Sequence, residues 1–191
     1  MERTSCQGIV ALSSKHLEAG AKDIGTSSME ECKPVSQLKA ANIRGLFFDI
    51  DDTFSTQGKI TPETYQAAWK LYKAGKILVP LTGRPAGWCD HIARMWPVHA
   101  VIGENGAFYC MLKDGKMQKR YTEPTCNEDK RRIKIADIKK EILKEVPGAG
   151  IASDQPWREF DLAVDYCEDV PRLSTVNIER IVDIFKSHGF Q

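Results

Sequence analysis

Two carboxylates spaced two residues apart, Asp49 and Asp51, close the apolar run in Phe47-Phe48-Asp49-Ile50-Asp51-Asp52-Thr53. A carboxylate just past the C-terminal end of a strand stands in the crevice where open α/β sheets bind ligands, and a partner two residues on can share a metal or move a proton. Phosphoryl chemistry suits that pair, with Asp49 as nucleophile and Asp51 as its acid/base. The plainer alternative is that Asp51-Asp52-Thr53 only opens a turn, since Asp and Thr favour turns through backbone hydrogen bonding. A second segment weighs against it. Ile77-Leu78-Val79-Pro80-Leu81 is another buried-strand candidate that runs into Thr82-Gly83-Arg84-Pro85, so a hydroxyl and a glycine amide again sit at a strand end. Pro85 suits the first turn of a helix, which would aim free amides and a positive terminus at a phosphate.

The elements that must hold these groups follow a β-then-α rhythm from Gly45. Thr61-Pro62-Glu63 starts a helix, Ala67, Ala68, Leu71 and Tyr72 supply its apolar face, and Gly75 ends it. Ile77 to Leu81 reads as a parallel strand, Pro85 to Trp96 as a helix stopped by Pro97, and His99 to Gly103 as the next strand. Two successive βα units imply a right-handed, three-layered α/β core with a parallel sheet. Ala107 to Leu112 and Met117 to Tyr121 flank Lys113-Asp114-Gly115-Lys116, a hairpin signal. His91 falls within a helix and His99 at a strand start, so both are read as structural.

A different unit begins near Glu123-Pro124. Ile135, Ile138, Ile142 and Val146 keep helical spacing up to Pro147-Gly148, and the basic run Lys130-Arg131-Arg132, set among acidic residues, solvates that helix. Phe160, Leu162, Val164 and Tyr166 alternate with Asp161, Ala163, Asp165 and Cys167, as in a strand covered on one face. Ile178, Ile181, Val182 and Phe185 mark a last amphipathic helix ending at Gly189.

Composition is that of an ordinary globular enzyme. With 191 residues, 42% of them hydrophobic, the chain can bury one sizeable core or a core plus a small appended unit. A net charge of +1 argues against a bulk electrostatic grip on nucleic acid or membrane, so neither is expected as a partner. Cys6, Cys32, Cys89, Cys110, Cys126 and Cys167 lie far apart with no Cys-x-x-Cys pair, and read as reduced thiols in a cytoplasmic protein. No apolar run approaches the roughly 18 residues that span a bilayer, and Gly8 to Leu12 is too short for a secretion signal. Residues 1–42 read as a flexible leader, with Met29 an alternative start.

The motifs carry a family resemblance. Asp49-Ile50-Asp51-Asp52-Thr53 resembles the first motif of the haloacid dehalogenase superfamily of phosphatases, and Leu81-Thr82-Gly83-Arg84 its second. Ile102-Gly103-Glu104-Asn105-Gly106-Ala107 is similar to the Asn-Gly-Ala segment of the branch whose cap follows the second motif, which includes sucrose-phosphate and trehalose-phosphate phosphatases. The resemblance covers residues 45–190 and implies a Rossmann-like core over 43–122 with a partial α/β cap over 123–191. It also implies a phosphatase acting on a small phosphorylated metabolite, a sugar phosphate, through an aspartyl phosphate on Asp49, with Asp51 as acid and then base. Mg2+ would be held by the Asp49 carboxylate and the Asp51 carbonyl, and would offset the repulsion between carboxylate and phosphate. Thr82 and the Gly83 amide would hold the phosphoryl oxygens. Arg84 would either contact phosphate or brace the loop through carboxylates. Asn105 is a substrate candidate, as are Trp157 and Arg158, beside Glu159, which combine a stacking face with polar contacts. Asp52 would order the loop through backbone bonds.

The chain departs from the family after Gly189, where only Phe190 and Gln191 follow. Relatives continue into a lysine-bearing third motif and an acidic fourth, and Lys59, Lys73, Lys76, Asp161 and Asp165 do not stand in for them. Leu46, Phe47 and Phe48 would then line an unpaired sheet edge. Two other functions remain open on these grounds: a remnant that binds phosphate or sugar phosphate without turnover, and a receiver-like module in which phosphorylated Asp49 persists. The substrate and the oligomeric state are not encoded legibly.

Overall fold

The computed structural model of the chain describes residues 9–12, 43–122 and 128–190. In chain order the elements are β1 (Ile9–Leu12), β2 (Gly45–Asp49), α1 (Pro62–Lys73), β3 (Ile77–Leu81), α2 (Ala86–Met95) and β4 (Val101–Gly103). They continue with β5 (Phe108–Lys113), β6 (Lys116–Tyr121), α3 (Glu128–Glu145), β7 (Gly150–Ile151), β8 (Leu162–Asp165) and α4 (Thr175–Ser187). Two sheets result, one ordered β2-β3-β4-β5-β6 and the other β1-β8-β7.

In the larger sheet β2, β3 and β4 run parallel, and β5 and β6 return antiparallel, so the sheet is mixed. The hairpin between β5 and β6 turns on Asp114 and Gly115, both at positive φ (51° and 72°), as a two-residue primed turn requires. Helix α1 starts where expected, with Thr61 Oγ1 accepting from the Thr64 amide and Pro62 at the first position. Right-handed crossovers that step the same way across a sheet put their helices on the same face. Accordingly α1 and α2 pack into one cluster, where Ala68, Cys89 and Ile92 meet Leu78, Val101 and Phe108. Two of the three expected layers are therefore present among the described residues. The opposite face exposes Phe47, Ile77, Leu81 and Tyr109, and the outer edge of β2 has no partner strand among the described residues.

The smaller sheet is antiparallel, and α3 and α4 cover it through Ile138, Ile142, Leu162, Val164, Ile181 and Phe185. Strand β8 departs from the expectation of a strand covered on one face: all four of its residues are buried. It is the central strand, and its inward-turned Asp165 carboxylate takes the amides of Cys167, Glu168 and Asp169 at 2.7–2.9 Å, so a polar residue is buried at satisfied hydrogen bonds. Most of the expected leader, residues 1–8 and 13–42, lies outside the described residues. Ile9–Leu12, an apolar β-former run within the stretch expected to be mobile, pairs antiparallel with all of β8.

Residues 157–161 join the two sheets. Phe160 leaves the smaller unit and packs in the larger cluster, 5.1 Å from the Tyr121 ring and 6.4 Å from Phe108. Arg131 of the basic run lies 3.9 Å over the Phe160 ring and Arg132 pairs with Glu128 at 3.1 Å, so neither forms a bare cationic patch.

Candidate active site

Asp49 and Leu81 end β2 and β3 in register, so the two following loops leave the sheet side by side. After Asp49 the chain makes a wide helical turn over Ile50–Phe54, closed by Ser55, whose amide and hydroxyl both donate to the Ile50 carbonyl at 2.8 and 3.0 Å. Asp52 sits in this turn at φ 57° and its amide donates to Ser55 Oγ, so it orders the loop through its backbone, as expected. The turn brings the Asp51 carboxylate to the second loop. There Arg84 grips it with two prongs, Nη2 to Oδ1 at 2.7 Å and Nε to Oδ2 at 3.2 Å. The guanidinium also lies 4.9 Å over the Trp88 ring. Of the two roles considered for Arg84, the geometry has it bracing Asp51, and that hydrogen bond holds the guanidinium above its ordinary range.

Thr82 is buried, accepts the Arg84 amide at Oγ1 (3.0 Å) and donates its own amide to the Ile102 carbonyl (2.9 Å). Gly83 follows where a side chain has little room, since a Cβ would stand 3.1 Å from Asn105 Oδ1. Asn105, at φ 56°, donates its amide to the Thr82 carbonyl (3.3 Å) and its Nδ2 to Asp161 (3.2 Å). It is exposed and stands beside the loop, in reach of whatever the loop holds.

Arg158 lies elsewhere than a substrate-facing cation would. Its side chain is 2% exposed, with Nη1 donating to the Gly83 carbonyl and to Asp161, both at 2.9 Å, and Nε and Nη2 to Asp154. Two carboxylates hold its charge, so it anchors the loop. Glu159 is tied to Lys119 at 2.6 Å and to the Tyr121 hydroxyl. Trp157 keeps an exposed ring while its Cβ packs on Gly87 in the first turn of α2. His99 accepts the Leu78 amide at Nδ1, a structural role, and His91 lines a groove of about 400 Å³ with Tyr65, Met95 and Trp96. Cys89 and Cys110 are buried free thiols; burial pushes both up, Cys110 to about 11, so neither is a nucleophile.

Two buried acids were not singled out from the sequence. Glu104, within the quoted Ile102 to Ala107 segment, is fully buried and accepts four main-chain amides. Asp161 is 1% exposed; burial pushes its carboxyl up to about 6, Arg158 pulls it back and nearby Glu104 adds to the rise. Burial raises the Glu168 carboxyl above its ordinary range, and Arg84 offsets part of that rise.

For a metal, no cluster of three or more ligating side chains occurs among the described residues. Mg2+ is commonly held by one or two carboxylates with water and substrate phosphate completing the shell. Asp49 fits that use, and with the Asp51 carboxylate on Arg84, the Asp51 carbonyl is the remaining donor there.

Residues 46–143, just over half the chain, match the haloacid dehalogenase-like hydrolase family. The chain belongs to that family. A Thermoplasma acidophilum protein of known structure superposes with a TM-score of 0.58 at 16% identity, covering 77% of this chain and 58% of its own. The C-terminal domain of Candida albicans trehalose-6-phosphate phosphatase gives 0.57 at 17%, over 74% and 48%. The Plasmodium falciparum IMP-nucleotidase gives 0.52 at 11%, over 76% and 41%. At such identities the likeness is one of fold, and the chain spans about half the length of these structures. No curated protein sequence matches it. No described helix is long and apolar enough to cross a membrane.

Proposed function

We propose that the chain carries the catalytic half-site of a Mg2+-dependent phosphatase that hydrolyses a small phosphorylated metabolite, a sugar phosphate, through an aspartyl phosphate on Asp49. The observation that carries this reading is the pairing of Asp49 with Leu81, which sets Asp49 and Asp51 beside Thr82 and Gly83 just ahead of the N-terminus of α2. A carboxylate nucleophile, a second acid and a hydroxyl-plus-amide cradle then share one crevice.

In the first step an Asp49 oxygen bonds to phosphorus as the bond to the leaving oxygen breaks, and Asp51 gives that oxygen its proton. In the second, Asp51 takes a proton from water, whose oxygen attacks phosphorus, and Asp49 leaves as free carboxylate with inorganic phosphate. Arg84 aims Asp51 in both steps. The Asp49 carboxylate and the Asp51 carbonyl would hold Mg2+, which would supply the positive charge that lets an anionic nucleophile meet an anionic ester. The family motifs support Mg2+, and the exposed Trp157 ring at Gly87, with Asn105 at Gly83, supports a polyhydroxy substrate. Residues 43–122 are read as the core and 123–191 as the cap, on two separate hydrophobic clusters. The buried reduced thiols suit a cytoplasmic setting.

One observation favours a second reading, binding without turnover: the Asp51 carboxylate is held by Arg84, and no third ligating carboxylate joins the pair among the described residues. The test is Mg2+-dependent phosphate release from a panel of sugar phosphates by the full chain and its Asp49→Asn variant. Release by the parent, lost by about a thousandfold or more in the variant, is the expected result. A folded parent that binds phosphate esters but releases nothing selects the second reading.

A further inference from the structure

We infer that Glu104 is a positioning residue that bolts the phosphate loop and the 158–161 turn into one block. The inference rests on reading Thr82 to Arg84 as the phosphate loop. Glu104 Oε1 accepts the Ala86 amide at 3.0 Å and the Glu159 amide at 2.9 Å; Oε2 accepts Phe160 at 2.6 Å and Asp161 at 3.2 Å. Ala86 opens α2, where amides have no helical partner, and 159–161 are three consecutive amides turned to one point. One buried carboxylate thus satisfies donors from segments 18 and 55 to 57 residues away from it.

The backbone is shaped for this grip. Glu104 and Asn105 both lie at positive φ, 44° and 56°, a conformation a non-glycine residue keeps only where its surroundings over-determine it. Gly103 before them has no space for a side chain, since a Cβ would fall 2.4 Å from the Phe108 ring and 2.5 Å from Cys89 Sγ. The consequence is a division of labour: Glu104 turns inward to the four amides, and Asn105 turns outward to the Thr82 carbonyl and Asp161. Arg158 is the second bolt, joining the Gly83 carbonyl to Asp154 and Asp161. Each residue of the run 157–161 touches the larger unit or its loops: Trp157 on Gly87, Arg158 on Gly83, Glu159 on Lys119, Phe160 on Tyr121 and Asp161 on Asn105. The run 157–161, which leaves the smaller unit after β7 and returns to it at β8, is therefore a fixed wall of the phosphate loop.

All of Glu104's partners are donors, so Glu104→Gln would point an NH2 at two N–H groups. Glu104→Asp keeps both acceptors at shorter reach. The experiment is native-state amide exchange on the full chain, with inorganic phosphate binding measured in Mg2+ on the same samples. In the parent, the amides of Ala86, Glu159, Phe160 and Asp161 should open together, with protection within about threefold of one another. Glu104→Gln should cost all four roughly tenfold or more in protection and weaken phosphate binding by a similar factor, with Glu104→Asp recovering part of both. Ala86 opening independently of 159–161 in the parent overturns the block even if the variants fail to fold. So does a Glu104→Gln loss confined to 159–161 with phosphate affinity unchanged. A parent that binds no phosphate overturns the phosphatase reading instead, and the exchange data, which need no ligand, still decide the block.

Discussion

The proton transfer proposed for Asp51 would depend on the grip that Arg84 keeps on its carboxylate. Both side chains are about one-third exposed, 28% and 36%, so the pair adds about 1 kcal/mol or less to stability and matters for where Asp51 points. Asp161 is the reverse case, buried beside the loop and costly to ionise. Its folded value, about 6, lies above the ordinary 3.8, so between those values the folded chain holds more protons than the unfolded one. Stability from this group is therefore complete below 3.8 and is lost as pH rises through about 6. Asp161→Asn should flatten that limb: urea midpoints of parent and variant should converge at low pH, and the parent should fall relative to the variant as pH rises through the Asp161 value. A parent midpoint that rises across the same window, relative to the variant, would show that Arg158 dominates and Asp161 stays ionised.

At the scale of elements, packing around Gly103 is the tightest point of β4. An added methyl meets Phe108, 1% exposed, and Cys89, fully buried, neither of which has space to retreat. Gly103→Ala should cost about 1–3 kcal/mol in chemical denaturation, where an exposed-site control such as Ser187→Ala should cost far less. The strands and helices bearing Asp49, Thr82 and Arg84 were legible because each is an apolar run ending in a turn residue, with Thr61, Pro62 and Pro85 as start signals and Gly75 as a stop. What was not legible depends on distant contact. The choice of Arg84 between phosphate and carboxylate is made by a residue 33 positions away, and Glu104 acts on amides up to 57 positions away. Strand β8 looked half-exposed because Asp161 and Asp165 alternate with apolar residues, yet both acids are buried on hydrogen bonds that local periodicity does not encode. Strand β1 is four residues long and, among the described residues, pairs with β8, more than 140 positions further along the chain, so local sequence does not mark it.

For the molecule as a whole, the two sheets differ in how completely they are closed. The smaller has helices over its central strand, whereas the larger leaves one face and the β2 edge open among the described residues. That face carries Phe47 at 71% exposure, Ile77 at 50% and Tyr109 at 41%, next to a row of edge amides and carbonyls. Open edges backed by exposed apolar side chains template further strands, and lysine on such an edge blunts the process. Phe47→Lys places a charge at the centre of the open edge strand and removes little packing, because the side chain is mostly in solvent already. The chain should therefore self-associate with rising concentration, and Phe47→Lys should raise the concentration at which light scattering increases by several-fold while leaving the denaturation midpoint within about 0.5 kcal/mol of the parent. Val176→Lys on α4, at a residue of equal exposure (72%), is the matched control and should change neither. Equal effects from both lysines would trace the change to net charge alone and leave the open face without a role in association.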